Sequence, residues 1–329
     1  MRKKVRNLFL FFTVLAVLLP GCGGQADAGD TGADEEKNDT QTVQEDTDEY
    51  SCGFIVGSFE QVFYQKLGDA IESEAAQIGM HAIVTDSELD SQVASNKIQS
   101  LADQGCQAIA LSCNDPERVR EAIDQAASQG VAMFTFDCTA DSDSIQCFVG
   151  TDNYKGGQLG GQEILKYSQD GDTVGIIGDS TDAAGADKEQ GALHVLDGQN
   201  RTVISGNDFE GDPNKAQEIM GNLLVEHPEI SVVFCVDDTA ATGALAAIKE
   251  AGSECKLIGY DGNPEALEAI ADTEGNGHWW VSEIAQDPQA IGETLVEQMQ
   301  IYLEEGALSS KEIPIDPYVV DIDNVEEEM

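Results

Sequence analysis

Several polar residues directly follow short apolar runs, at positions where buried strands would end. Ser112 and Asp137 follow two such runs in the first half of the chain, and Asp237 and Asp261 follow two in the second half. Tyr260 directly precedes Asp261. Carboxylates accept hydrogen bonds from pairs of hydroxyl groups, and aromatic rings stack on apolar C–H faces. These residue types therefore suit a small polyhydroxylated ligand.

An amide and further aromatic rings extend this set. Gln61, Phe63 and Tyr64 come shortly after the first apolar run, and Gln286 follows the run that begins at Trp279. If these runs are parallel strands, their carboxyl ends meet at one edge of a sheet, where such folds bind ligands. The sequence therefore predicts one binding site that combines carboxylates, amides, a hydroxyl group and aromatic rings.

A purely structural role competes with ligand binding at each of these aspartates. An aspartate at a strand end is often only an acceptor that caps the following helix or bonds to a loop. We favour that interpretation for Asp152 and Asp238. It is weaker for Asp137, because no helical pattern immediately follows that residue.

Other chemical motifs are poorly supported. The glycine-rich run at 156–161 falls inside a helical pattern and lacks the dinucleotide-binding spacing, so it predicts close packing of a helix on the sheet. No nucleophile-elbow motif occurs, and the histidines lack the spacing of a metal site. We therefore expect a binding protein without catalytic residues, cofactor or metal, and not an enzyme. The four scattered histidines are His81, His194, His227 and His278.

Short apolar runs alternate with amphipathic helical patterns from residue 51 onward. Gly79, Gly105 and Gly130 end the first three predicted helices and lie 25–26 residues apart, which is the length of one β-α unit. The pattern predicts an α/β fold with two doubly wound parallel sheets. The predicted strands are 52–57, 81–85, 107–111, 131–136, 173–177, 202–205, 232–235, 256–260 and 279–284. Asp or Asn before proline predicts helix starts at Pro116, Pro213, Pro264 and Pro288.

The N-terminus has the features of an export signal. A basic start precedes a 12-residue apolar run over 8–19, which is shorter than a membrane-spanning helix. The run ends in Leu-Pro-Gly-Cys, which resembles the lipobox of bacterial lipoproteins and predicts a signal peptide over 1–21 with lipidation at Cys22. An ordinary signal peptide with an incidental cysteine is the alternative. Residues 22–50 predict an acidic, disordered tether.

The charge of the chain excludes some classes of partner. It contains 62 acidic and 17 basic residues, a formal net charge of −45. Such a surface repels phosphate groups, so we expect no nucleic-acid binding and no attachment to an anionic membrane by charge alone.

The cysteine count is compatible with free thiols. If Cys22 carries lipid, seven of the eight cysteines remain, which is an odd number. Cys52, Cys113 and Cys235 lie in or beside apolar runs and are interpreted as small buried hydrophobic residues. A disulfide between Cys138 and Cys147 stays open as an alternative.

The sequence resembles the type 1 periplasmic binding proteins, close to the ribose and simple-sugar group of ABC transporter lipoproteins. The resemblance covers about residues 51–320 and is carried most specifically by Gly-Tyr-Asp-Gly at 259–262 and Ala-Gln at 285–286. Further matching segments are 61–64, 136–137, 150–153 with Gly156 and Gly157, 222–224, 237–240 and 287–288.

The resemblance implies two lobes hinged by three crossings, with the ligand trapped between them. Crossings are expected near 151–152, 286–287 and 311–318. The implied N-terminal lobe is 51–151 plus 287–311, and the C-terminal lobe is 152–286 plus 312–329. The positions that match pocket residues of the sugar binders are Gln61, Phe63, Tyr64, Ser112, Asp137, Asp237, Tyr260, Asp261 and Gln286.

Departures from the family pattern concern charge. Cys138 and Ala186 stand where the ribose binders carry arginine, and Gly211 replaces a pocket aromatic residue. Ribose itself is therefore disfavoured, and a polyol, another sugar or a cationic amine fits an acceptor-rich pocket.

The resemblance predicts a solute-binding lipoprotein of an ABC importer. Its expected partners are a small sugar-like ligand, an ABC permease and, through the lipid anchor, the outer face of the cytoplasmic membrane. The protein is expected to be a monomer. The alternative function is a sensor that presents the bound ligand to a chemoreceptor or histidine kinase.

Overall fold

The computed structural model describes residues 50–113, 115–181, 183–206 and 208–329. The predicted signal peptide, Cys22 and nearly all of the predicted tether lie outside these residues. Within the described part of the chain, no helix has both the length and the apolar character that a membrane crossing requires.

Twelve strands and ten α-helices form the described part of the chain. The strands are β1 Ser51–Val56, β2 His81–Asp86, β3 Ala108–Leu111, β4 Ala132–Phe136, β5 Ile145–Thr151, β6 Thr173–Ile177, β7 Thr202–Ser205, β8 Ile230–Cys235, β9 Lys256–Asp261, β10 Trp280–Ala285, β11 Glu312–Ile315 and β12 Tyr318–Asp321. The helices are α1 Val62–Ile78, α2 Ser91–Asp103, α3 Pro116–Ser128, α4 Asn153–Tyr167, α5 Ala183–Leu196, α6 Pro213–Glu226, α7 Asp238–Ala251, α8 Pro264–Ala271, α9 Pro288–Glu305 and α10 Val325–Glu328.

The strands form two six-stranded sheets, which confirms the predicted α/β class with two parallel-sheet lobes. The first sheet has the order β11-β5-β4-β3-β1-β2, and all its neighbouring strands are parallel. The second has the order β12-β10-β9-β8-β6-β7, and only β12 runs antiparallel to its neighbour. Strand order reverses within each sheet, so each lobe has a crevice at the carboxyl ends of its strands.

The third crossing lies later in the chain than the predicted lobe limits put it. The predicted C-terminal lobe includes residues 312–329, but β11 pairs with β5 in the first sheet. The backbone amide of Asp152 also donates to the Ile315 carbonyl, so the first and third crossings run side by side. The chain leaves the first lobe only between β11 and β12, at residues 316–317.

The predicted helix starts and glycine stops are found in the structure, but Asn263 lacks the expected side-chain cap. Asp115, Asp212 and Asp287 each cap a helix that begins with proline. The Asn263 side chain makes no such bond, and its backbone amide instead donates to Asp238. Gly79 ends α1 with a positive φ of 74°, a conformation that glycine adopts without steric cost.

The cysteines of the described residues are free thiols. The possible disulfide between Cys138 and Cys147 is not formed. Cys147 is buried in β5, and the Cys138 thiol instead lies 3.5 Å from Asp137 Oδ2. Cys52, Cys113 and Cys235 are buried, as interpreted from their apolar surroundings.

Candidate functional site

A first cluster of polar side chains lies at the carboxyl ends of β3 and β4. The Tyr64 hydroxyl donates to Asp137 Oδ2 at 2.8 Å, and the Ser112 hydroxyl donates to the same oxygen at 2.9 Å. Tyr64 and Ser112 are both buried. Among the described residues, no hydrogen-bond donor to Asp137 Oδ1 is found. The first lobe therefore presents a fixed carboxylate with one oxygen available to accept from a ligand.

A second cluster joins the two lobes at the hinge. Gln286 Nε2 donates to Asp261 Oδ1 at 2.9 Å, and Gln286 Oε1 accepts from the Thr151 hydroxyl at 2.6 Å. Thr151 ends β5 of the first sheet, whereas Asp261 ends β9 of the second. Gln286 thus links a crossing segment directly to a candidate ligand carboxylate.

Both of these aspartates hold an uncommon backbone conformation. The φ angle is 61° at Asp137 and 123° at Asp261. Residues other than glycine rarely adopt a positive φ angle. Such backbone strain concentrates at functional sites, because the surrounding structure must enforce it. The strain supports the assignment of these two aspartates to the site.

A buried lysine, absent from the predicted site, lies among the carboxylates. Lys188 Nζ donates to the Val236 carbonyl at 3.0 Å and lies 3.6 Å from Asp261 Oδ1. It also lies 3.9 Å from the centroid of the Tyr260 ring, within the range of a cation–π contact. The side chain is only 9% exposed. The second lobe therefore carries its own counter-charge.

Close packing of α4 on α5 places this lysine. Gly157 of α4 lies against the Lys188 carbonyl, so a Cβ atom there would overlap the carbonyl oxygen. On the other face of α4, Gly156 and Gly160 lie against the rings of Tyr260 and Phe234. The glycine-rich run thus packs a helix closely, as predicted, and brings α5 near the ends of β8 and β9.

Sequence reasoning missed Lys188 because it lies inside a helix rather than at a strand end. The only signal lay two residues earlier, at Ala186, where the family resemblance aligned an arginine. A positive charge is present in this part of the second lobe, but it comes from a different position of α5.

Three further second-lobe aspartates accept hydrogen bonds from backbone amides, two at helix starts and one in a loop. Asp152 caps α4 by accepting from the Lys155 amide, as favoured above. Asp237, predicted as a ligand residue, caps α7 by accepting from the Ala240 amide at 2.7 Å. Asp238 does not cap α7. Its side chain is buried and accepts from the Asn263 amide at 2.9 Å.

Three predicted site residues differ in their access to solvent. Gln61 is exposed at the start of α1, and Phe63 is half-buried with its ring against that of Tyr64. Tyr260 is completely buried, and its hydroxyl donates to Asn153 Oδ1 at 3.1 Å. The structure therefore places Tyr260 beneath Lys188 in the core of the second lobe.

Burial raises the pKa values of the site carboxyl groups. It raises the pKa of Asp261 to about 6; the nearby Lys188 opposes this shift and the charge of Asp237 adds to it. Burial likewise raises the pKa of Asp137, against hydrogen bonds from Tyr64 and Ser112 that lower it. These carboxyl groups therefore gain protons at a higher pH than ordinary aspartates do.

Two cavities adjoin these clusters. One of about 520 Å³ lies between the lobes and is lined in part by Phe63, Asp261 and Gln286. The other, of about 580 Å³, lies in the second lobe beside Lys188 and Asp237. Both have room for a small organic ligand.

Comparisons with known proteins agree with this architecture. The family model of the periplasmic binding protein domain matches residues 52–307. The chain is 31% identical over 250 residues to the ribose import binding protein of Bacillus subtilis, a match that covers 76% of this chain and 80% of that relative. It is 25% identical over 276 residues to the D-allose-binding periplasmic protein of Escherichia coli, covering 80% and 86%. The solved arabinose binding protein of Geobacillus stearothermophilus superposes with a TM-score of 0.79 at 17% identity, covering 85% of this chain and 99% of that one.

Proposed function

The chain belongs to the periplasmic binding protein domain family, and on that premise we propose that it captures a small neutral sugar or polyol for an ABC importer. The relatives reported above are named for ribose and allose, and one of them for import. The observation that carries the proposal is the pair of fixed carboxylates, Asp137 and Asp261, that end strands in different lobes. A polyhydroxylated ligand between them would donate to both and hold the lobes together.

Lys188 favours a neutral ligand over a cationic one. Without it, Asp237 and Asp261 would favour a ligand that brings its own positive charge. Lys188 Nζ already lies 3.6 Å from Asp261 and is held by the Val236 carbonyl. A cationic amine would have to enter beside a fixed ammonium group, and like charges at short range repel. We therefore favour hydroxyl groups as the ligand's donors.

Isothermal titration calorimetry at pH 7 tests this function with D-ribose, D-allose, myo-inositol and putrescine as probes. We expect at least one neutral compound to bind and putrescine not to bind. A neutral compound at 100 times its Kd should raise the free energy of unfolding by about 2.7 kcal/mol, which thermal unfolding can check. Failure of all three neutral compounds to bind would contradict the proposal, and tight binding of putrescine would contradict a neutral ligand.

We also propose that Cys22 anchors the protein to the outer face of the cytoplasmic membrane. The apolar run at 8–19 followed by Leu-Pro-Gly-Cys supports this proposal. Two acyl chains would give stable attachment. We expect the Cys22→Ala variant to move from the membrane fraction to the soluble fraction on cell fractionation. A variant that stays with the membranes would contradict lipidation at this residue.

A further inference from the structure

Two buried carboxyl groups lie directly behind the loop that carries Asp261. Asp238 begins α7, and Glu283 lies within β10. Glu283 is completely buried and Asp238 is 7% exposed. They accept hydrogen bonds from successive amides of that loop, Glu283 from Gly262 and Asp238 from Asn263, so both carboxyl groups lie against the same short segment. Two ionised carboxylates offer only acceptors, so a hydrogen bond between them would require a proton on one of them.

The other hydrogen bonds of Asp238 and Glu283 indicate which carboxyl group would carry such a proton. Glu283 accepts from the Gly262 amide at 3.2 Å and from the Trp280 indole at 3.0 Å. Asp238 Oδ2 accepts from the Asn263 amide at 2.9 Å, but the buried Oδ1 has no donor among the described residues. A buried acceptor without a donor is costly. A proton on Glu283 would supply the donor that Asp238 Oδ1 lacks.

We propose that Asp238 and Glu283 share one proton and act as positioning residues that fix the 261–263 loop of the ligand site. Each carboxyl group holds one backbone amide of that loop, at Asn263 and at Gly262. The two contacts enforce the positive φ angles of Asp261 and Gly262, which are 123° and 83°. The link to ligand binding rests on the function proposed above, whereas the shared proton and the fixed loop do not.

The charges around the pair oppose loss of its proton. Asp261 and Asp237 add negative charge, and Lys188 is already engaged with Asp261 and the Val236 carbonyl. The buried Cys235 thiol and the Tyr260 hydroxyl also face the pair but stay neutral, because burial raises the pKa of each well above its ordinary value. Burial likewise raises the pKa of Glu283, and the charge of Asp238 raises it further. The pair therefore keeps one proton at neutral pH.

The indole of Trp280 reports the protonation of Glu283 without any ligand. The chain has two tryptophans: the Trp280 indole donates to Glu283, whereas the Trp279 indole donates to the Ser253 carbonyl. In a ¹H–¹⁵N spectrum of the full chain, we expect the Trp280 indole signal to show no transition at the pH of an ordinary glutamate and to shift only at alkaline pH. The Trp279 signal is the internal reference, and a Trp280→Phe variant assigns both. A Trp280 transition at about pH 4.3 would overturn the shared proton.

Substitutions at Asp238 test the positioning role. In Asp238→Asn, the amide oxygen can accept from the Asn263 amide while the NH₂ group donates to an ionised Glu283. The NH₂ group then replaces the shared proton and cannot be lost as the pH rises. We expect hydrogen exchange at the Asn263 amide to stay within about twofold of wild type in this variant. In Asp238→Ala, we expect at least tenfold faster exchange, because the acceptor is gone. Asp90→Asn is the matched control, since Asn caps α2 as well as Asp does.

The outcomes separate this proposal from the proposed function. If Asp238→Asn exchanges as fast as Asp238→Ala at Asn263, the shared hydrogen does not hold the loop and the positioning role is wrong. If neither substituted chain folds, the wild-type Trp280 titration still decides whether the proton is shared. Failure of D-ribose, D-allose and myo-inositol to bind would contradict the proposed function but would leave both of these measurements unaffected.

Discussion

Replacing Lys188 by methionine is expected to lower the free energy of unfolding at pH 7 by about 3 kcal/mol. Removal of one partner of a buried ion pair generally costs about 3–5 kcal/mol, because the other charge stays buried. The lower end applies here because Asp261, whose pKa burial raises to about 6, can take up a proton and escape part of the penalty. The Val236 carbonyl also loses its donor from the lysine. Urea denaturation at pH 7 measures the loss.

The pH dependence of this loss identifies its cause. The pKa of Asp261 in the folded protein, about 6, lies above the ordinary aspartate value. Protonation of Asp261 therefore stabilises the folded state fully below the ordinary pKa, and this stabilisation is lost as the pH rises through about 6. Without Lys188 the pKa of Asp261 rises further, so the loss is larger above pH 6 than below it. We expect less than half of the pH 7 effect at pH 5. Equal losses at both pH values would show that Lys188 stabilises through packing alone.

Lys215→Met is the matched control for this experiment. Lys215 lies on α6 of the same lobe and pairs with Glu210 at 2.8 Å, but its side chain is 37% exposed and that of Glu210 is 63% exposed, against 9% for Lys188. Exposed ion pairs contribute about 0–1 kcal/mol. We expect the control to change the free energy of unfolding by less than about 1 kcal/mol at either pH.

The repeating β-α units could be predicted because each carries its own local signals. Helices α6, α8 and α9 begin at the prolines that predict helix starts, and Gly306 ends α9. Strands β6 and β7 match their predicted limits, since each is a short run with a polar residue before it and a glycine after it. Such local signals do not depend on the rest of the fold.

The strands next to the hinge could not be predicted in the same way. β5 is interrupted by Gln146 and Gly150, and β11 alternates exposed and half-buried residues around Pro314. Both are strands because the neighbouring sheet edge accepts them, and β11 needs β5 as its partner. An edge strand of this kind is fixed by tertiary pairing rather than by its own pattern.

The candidate site shows the same division between local and tertiary information. Asp137 and Asp261 were found because they end strands, and both have the positive φ angles expected of constrained residues. Lys188 reaches them from a helix, through the approach of α5 to α4 at Gly157. Tyr260 directly precedes Asp261 in β9, and strand alternation turns its ring into the core under Lys188. The position of a residue along a strand predicts that it lies at the carboxyl edge of the sheet, but it does not predict the direction in which its side chain points.

Asp261→Ala is expected to weaken binding of the best neutral probe at least tenfold at pH 7, which corresponds to about 1.4 kcal/mol. Hydrogen bonds to a charged group contribute about 1.5–3 kcal/mol, and the side chain would be an acceptor for ligand hydroxyl groups. Because Gln286 and Lys188 already engage Oδ1, the ligand would use Oδ2. Isothermal titration calorimetry measures the change, and Asp272→Ala, on the loop after α8, is the control expected to bind normally.

The affinity of the wild-type protein for the same probe should also depend on pH. The ionised Asp261 accepts a hydrogen bond from Gln286 and pairs with Lys188 at Oδ1, and it offers Oδ2 to the ligand, whereas the protonated form has lost one acceptor site. With a pKa of about 6, we expect roughly tenfold weaker binding at pH 5 than at pH 7. Asp261→Asn cannot ionise, so its affinity should be weaker at pH 7 and nearly constant over this range. An unchanged affinity in Asp261→Ala, or a pH dependence that survives in Asp261→Asn, would show that Asp261 is a structural acceptor and not the ligand carboxylate.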